Sequence, residues 1–268
     1  MHDEVTKPSS ETLGPSIDPV ALGRKSQKTA LRKRFYATAA VAPHDDGFAV
    51  MLDGRPLLTP AKARLSLPTR AAAEAIAGEW LAQGEEIDPA EMPLTRIVNS
   101  AIDGVARTME AVAEDIVKYA GTDLVCYRAE GPDSLVKAQA EAWNPVLAFA
   151  AADMGARFLC AEGITHVAQP ESSMAAVRAK LGRVTGTGAA APVALACLSV
   201  MTGLTGSLLI VLARVSGAMS LAQAWAAAHV DEDFQMRLWG ADQEAMDRRA
   251  RRFAEMAAAD RLWQLVRP

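Results

Sequence analysis

The chain has 268 residues, 50% of them hydrophobic, 5% aromatic and 22% charged, with a formal net charge of −4. That is long enough for one large domain or two modest ones with real cores, and too apolar for a disordered protein. The nearly balanced charge excludes the basic surplus of a nucleic-acid binder. Three scattered cysteines, Cys126, Cys160 and Cys197, exclude a disulfide scaffold or a zinc site and suit a reducing compartment.

Residues 1–32 read as a disordered tail. Asp3, Glu4, Glu11 and Asp18 stand where a signal peptide would carry its apolar region, and they make the segment too acidic for a transit peptide, so a cytoplasmic location is expected. The basic run from Arg24 to Arg34 reads as a solvated leader. Over 34–68 the pattern is that of an antiparallel sheet of three or four strands. Phe48, Val50 and Leu52 alternate with their neighbours, His44-Asp45-Asp46-Gly47 is a turn signal, and Asp53-Gly54 is a two-residue hairpin turn.

After Pro68 the signals are helical. Thr69 is a plausible N-cap for a helix that runs to about Gln83 and stops at Gly84. Val105, Met109, Val112, Ile116 and Tyr119 form one apolar stripe, and residues 123–128 fit either a short strand or a connector. A helix over 134–154 must kink or restart at Pro145, residues 156–169 read as extended, and a further helix covers 171–182.

From Val184 to Leu212 there is no charged residue, a length that would license a membrane span. Pro192 and the pair Gly203 and Gly206 divide the run, however, and no aromatic belt or basic cluster flanks it. Two antiparallel buried helices joined by a turn at Thr202–Gly206, without membrane insertion, are expected. One helix then spans 220–239, started by the capping box Ser220 to Gln223, and a last helix begins at Asp242. The fold class is α+β, with a tail over 1–32, a β-rich part over 33–100 and a larger all-α part over 101–268.

Catalytic constellations are missing. Gly186-Thr187-Gly188 and Thr202 to Ser207 look like phosphate loops but lack the lysine that would reach a phosphate. The four histidines, His2, His44, His166 and His229, are dispersed, and no zinc, dinucleotide or nucleophile-elbow motif occurs. No catalytic residue, metal or cofactor is expected.

The one constellation that stands out is His229 followed by Asp231, Glu232 and Asp233. On a continuous helix Leu221, Trp225, Ala228, His229, Glu232, Met236 and Trp239 share one direction. Val230, Phe234 and Leu238 line the opposite side, leaving Asp231 and Asp233 to point out between the stripes. A carboxylate among tryptophans needs a partner. On the residues alone an internal one, such as His229, comes first; a donor on another protein is the alternative.

Several blocks occur in a distinctive order: Lys33-Arg34-Phe35-Tyr36, Leu52-Asp53-Gly54-Arg55-Pro56, Thr59-Pro60, Leu67-Pro68-Thr69, Glu79-Trp80 and Met92-Pro93-Leu94-Thr95-Arg96. They continue with Tyr119 to Leu124, Cys126-Tyr127-Arg128, Leu204 to Ser207 and Ala227 to Gln235. Together these resemble the assembly chaperone of the F-type ATP synthase that handles the alpha subunit of the catalytic head, over about residues 33 to 260. Asn144, where an aspartate commonly precedes the proline, and Phe234, where tryptophan is commoner, are the departures.

The resemblance implies a non-enzymatic, ATP-independent chaperone, and a monomer is expected. It would bind the unassembled alpha subunit, shield its beta-facing surface and be displaced on assembly. It also moves weight toward Glu232 at a partner surface, with Trp225, Trp239, His229 and Asp231. Two rivals are a small-molecule enzyme with an interdomain cleft lined by Arg55, Arg96 and Asp123, and a subunit retained in a stable complex.

Overall fold

The computed structural model describes residues 31–45, 47–163, 165–240 and 242–267. The tail expected over 1–32 lies outside them except for its last two residues. Strands β1 (Arg32–Lys33), β2 (Ala39–His44), β3 (Gly47–Leu52), β4 (Arg55–Pro56), β5 (Ser66–Leu67) and β6 (Glu86–Ile87) make up the β-rich part. β2 and β3 pair antiparallel from Ala39↔Leu52 to His44↔Gly47, β4 continues the sheet, and β5 joins β3 at Phe48 and Ala49. Asp53 and Gly54 take φ of 46° and 76°, the mirror-image turn that matches strand twist.

This four-stranded sheet is the one expected, but its first strand starts at Ala39 rather than Arg34. The Asp53 carboxylate accepts hydrogen bonds from the backbone N–H of Ala37 and Thr38 at 2.8–3.1 Å and from the Thr38 hydroxyl at 2.9 Å, and Asp53 N donates to Thr38 O at 3.1 Å, so 37–38 are tied to the hairpin turn. β1 pairs instead with β6 in a second small sheet.

Val50, Leu52, Leu65 and Leu67 are buried, and the sheet packs on α1 (Arg70–Leu81). Thr69 caps α1 as expected, accepting from Ala72 N, and its hydroxyl donates to Leu265 O at 2.5 Å, tying the helix to the C-terminal end of the chain. Helix α2 (Pro93–Asp103) was not foreseen, and it contains residue 100, the expected boundary. Its first turn is capped from a distance: the Glu79 carboxylate of α1 accepts from Leu94 N, Thr95 N and the Thr95 hydroxyl at 2.7–2.8 Å.

Next come α3 (Met109–Gly121), α4 (Asp133–Met154), continuous through Pro145, and α5 (Glu171–Thr185). Between them β7 (Tyr127–Arg128) and β8 (Ala161–Glu162) pair in parallel. The uncharged stretch forms α6 (Ala191–Thr205) and α7 (Leu208–Val215). The turn expected at Thr202–Gly206 contracts to Gly206 and Ser207. Thr202 to Thr205 stay helical because Gly206 supplies the left-handed stop at φ 67° and the Ser207 hydroxyl caps α7 at Ile210 N. Among the described residues one helical stretch, Gly188–Thr205, is apolar and long enough to cross a membrane, and 56% of it is buried. Its apolarity has a local cause: α6 packs against α2, α3, α5 and α7, and against two later helices.

Asp123, wholly buried after α3, accepts from Leu209 N at 3.0 Å and Val125 N at 3.3 Å, and so holds the start of α7. Burial pushes its pKa up to about 6. The chain ends in α8 (Leu221–Ala228), α9 (Val230–Trp239) and α10 (Gln243–Leu265); the single helix expected over 220–239 is two. One core runs through both parts, from Tyr36 to Val266.

Candidate partner-binding surface

The capping box of α8 forms as expected, with the Ser220 hydroxyl accepting from Gln223 N and the Gln223 side chain from Ser220 N. The helix then breaks at His229, whose φ and ψ of −125° and 25° leave the helical region. Its N–H turns to Ala226 O at 3.2 Å, which deprives the Trp225 carbonyl of its usual helical donor. The His229 ring fills the vacancy: Nδ1 lies 2.8 Å from Trp225 O. Because a carbonyl only accepts, Nδ1 carries the proton, and the neutral ring presents a lone pair at Nε2. Burial holds the imidazole below the ordinary histidine range, so the ring is uncharged at neutral pH. Asp233 N donates back to His229 O at 2.9 Å and starts α9.

The break rearranges the expected stripes. Trp225 and His229, expected at the partner surface, are buried at 8% and 3% exposure. Their rings lie 3.8 Å apart, and Trp225 also packs on Phe253 of α10 at 5.3 Å. Glu232, expected among the tryptophans, faces outward with 56% of its side chain exposed and lies 4.0 Å from His229 Nε2. A neutral ring cannot neutralise it.

Asp231 and Asp233, expected to project freely, are the tethered carboxylates. Asp231 accepts from Gln139 of α4 at 2.7 Å, and Asp233 pairs with Arg249 of α10 at 2.5 Å. Val230 and Phe234 are buried on the side of α4, whereas Leu238 and Trp239 are exposed, Trp239 at 79%.

Between α9 and α10 lies a depression of about 300 Å³ lined by Glu232, Met236, Trp239, Ala245, Arg248, Arg249 and Arg252. Met246 is also exposed on α10. Met246 and the arginines escaped the sequence reading, although the run Arg248-Arg249-Ala250-Arg251-Arg252 is plain to see. Only the fold reveals that α10 lies beside Glu232. The arrangement offers an exposed carboxylate, a large exposed indole and three guanidiniums around one depression, with no arginine within ion-pair distance of Glu232 among the described residues. That suits contact with a protein, and no general acid–base pair is assembled there.

The cleft of the enzyme reading does not form. Arg55 lines a cavity of the β-rich part, Arg96 pairs with Glu255 of α10 at 2.8 Å, and Asp123 is sealed in the core. Among the described residues no group of three or more histidine, cysteine or acidic side chains is placed to hold a metal ion.

The family model described as ATP12 chaperone protein matches residues 33–151. The crystal structure of Atp12 from Paracoccus denitrificans is 42% identical, covers 88% of this chain and 99% of its own, and superposes with a TM-score of 0.80. The chain belongs to the ATP12 chaperone family. This agrees with the resemblance carried by the ordered blocks, and ATP12 chaperones serve ATP synthase assembly. Two further structures are similar over nearly the same span. A mutant of the Paracoccus denitrificans protein, with one aspartate replaced by lysine, is 41% identical, covering 88% of this chain and 98% of its own, with a TM-score of 0.80. The Atu1473 protein of Agrobacterium tumefaciens is 43% identical, covering 93% and 92%, with a TM-score of 0.85.

Proposed function

We propose that this ATP12 chaperone binds the unassembled alpha subunit of the F-type ATP synthase head, shields its beta-facing surface, and leaves when the beta subunit arrives. It does so in the cytoplasm as a monomer, through contact alone, without ATP or catalysis. The reading supposes two parts, a β-rich one over 33–100 and a helical one over 101–268. The observation that carries it lies on α9 and α10: Trp239 stands in the open on the same depression as Glu232, and Leu238 and Met246 are exposed on the same two helices. An orphan subunit exposes an apolar patch that aggregates, and a complementary patch edged by charge covers it reversibly. Trp239 is the anchor and Glu232 orients the client. Asp231, tied to Gln139, holds the first turn of α9, while Trp225 and His229 set from inside the angle at which α9 leaves α8.

The test is a pull-down with isolated alpha and beta subunits, separately and together. Retention of alpha alone, lost on adding beta, is expected. Retention of beta alone would contradict the reading, as would co-purification with the finished synthase, which would mark a permanent subunit.

A further inference from the structure

The β-rich part holds a cavity that the client surface of α9 and α10 does not use. It measures about 860 Å³ and lies between the β1–β6 pair and the β3–β4 hairpin. Its lining includes Tyr36 and Trp80, and the Tyr36 hydroxyl donates to Trp80 O at 2.6 Å, so this wall is fixed before anything binds. Phe35 and Leu58, both also lining it, are more than half exposed. Burying two such side chains would stabilise the fold, and folding leaves them open.

Two guanidiniums complete the lining, those of Arg32 and Arg55. Both residues are exposed, and neither has an ion-pair partner among the described residues. Arg32 lies over the Phe35 ring at 4.6 Å. The one carboxylate in the lining, Asp53, is occupied by Ala37 N, Thr38 N and the Thr38 hydroxyl. The site therefore offers a preformed apolar wall with two cations free to pair with anions, at a volume ordinary for a binding pocket.

We propose that this groove is a second client-holding site, taking an extended segment in which carboxylates flank apolar side chains. The carboxylates meet Arg32 and Arg55, and the apolar side chain between them lies on Phe35 and Leu58. This rests on the client reading above and deepens it. Two modest contacts on one client raise retention through effective concentration, and either can be released first when the partner subunit arrives.

The probe is a short fluorescein-labelled peptide of alternating aspartate and leucine, titrated with the full chain and read by fluorescence anisotropy. Salt-sensitive binding is expected, weakened about tenfold by Arg32→Glu with Arg55→Glu, kept by the two lysine replacements, and untouched by Glu232→Lys. In the pull-down the double glutamate variant should retain less alpha subunit. Equal binding of a lysine–leucine peptide, no binding at all, or unchanged alpha retention by the double variant each overturns the proposal. So does a photo-crosslinker at Leu58 that captures residues 1–30 of the same chain in place of the client. Failure of the wild-type chain to retain alpha would instead sink the client reading, and the peptide titration would still decide whether the groove takes acidic segments.

Discussion

Two helix pairs in this ATP12 chaperone are rich in large apolar residues and meet opposite fates. α6 and α7 carry no charge up to Leu212, and every residue from Leu208 to Ala213 is fully buried. They are apolar on most sides because they have neighbours on most sides, α6 less completely than α7. α9 carries Val230, Phe234, Leu238 and Trp239 among charges, and only the first two are buried. The break at His229 and the stop at Gly240 leave the last turn of α9 in the open, where Trp239 covers nothing. Apolar residues without charges mark the interior here; a tryptophan among charges marks the exposed surface proposed to meet the client.

The strongest way to break this contrast is to truncate a side chain in each pair. Leu209→Ala should cost about 2–5 kcal/mol of stability in urea unfolding, while the folded fraction keeps its client. A Leu209→Ala protein that stays fully stable yet loses the client would reverse the roles assigned to the two pairs.

Asp123→Ala comes next. It orphans two buried backbone N–H groups at the start of α7 and the adjoining connector, and should cost about 1–3 kcal/mol. Asp123 also predicts a pH dependence. Its folded pKa of about 6 lies above the ordinary 3.8, so between those values the folded state binds more protons than the unfolded one. Its contribution is therefore fully present below about 3.8 and is lost as pH rises through about 6. His229, held below its ordinary value by burial, has the opposite slope and loses stability as pH falls. Subtracting the pH profile of Asp123→Asn from that of the wild type isolates the carboxylate; a flat difference would contradict the buried, protonatable state.

The smallest stability effect belongs to Glu232→Lys. The side chain is exposed and its close partner is a neutral ring, so unfolding should change by less than about 0.5 kcal/mol. Retention of the alpha subunit should nevertheless fall. A globally unfolded Glu232→Lys protein would mean that the residue holds the helix rather than the client.

What the sequence revealed divides along local and non-local lines. Thr69, Asp53-Gly54, the Ser220–Gln223 box and the Asp242 cap act within three or four residues, and each was legible. α2 was not, because its cap is Glu79 from another helix. Pairings of only two residues, β1 with β6 and β7 with β8, leave too little alternation to read. The break at His229 escaped for a subtler reason: the imidazole replaces the lost backbone donor, so the apolar periodicity runs on through a helix that has stopped. The wheel therefore set Glu232 and Trp225 on one stripe, whereas the break turns Glu232 outward and buries Trp225. The arginines of α10 were visible but had no meaning until the fold set them beside α9.

The most direct test of the central claim is calorimetric titration of isolated alpha subunit into the wild-type chain and into Trp239→Ala. An anchor of this kind contributes about 2 kcal/mol or more, so the variant should bind about 30-fold more weakly and melt at the same temperature. Unchanged affinity, or a loss of binding matched by a loss of folding, would contradict the account.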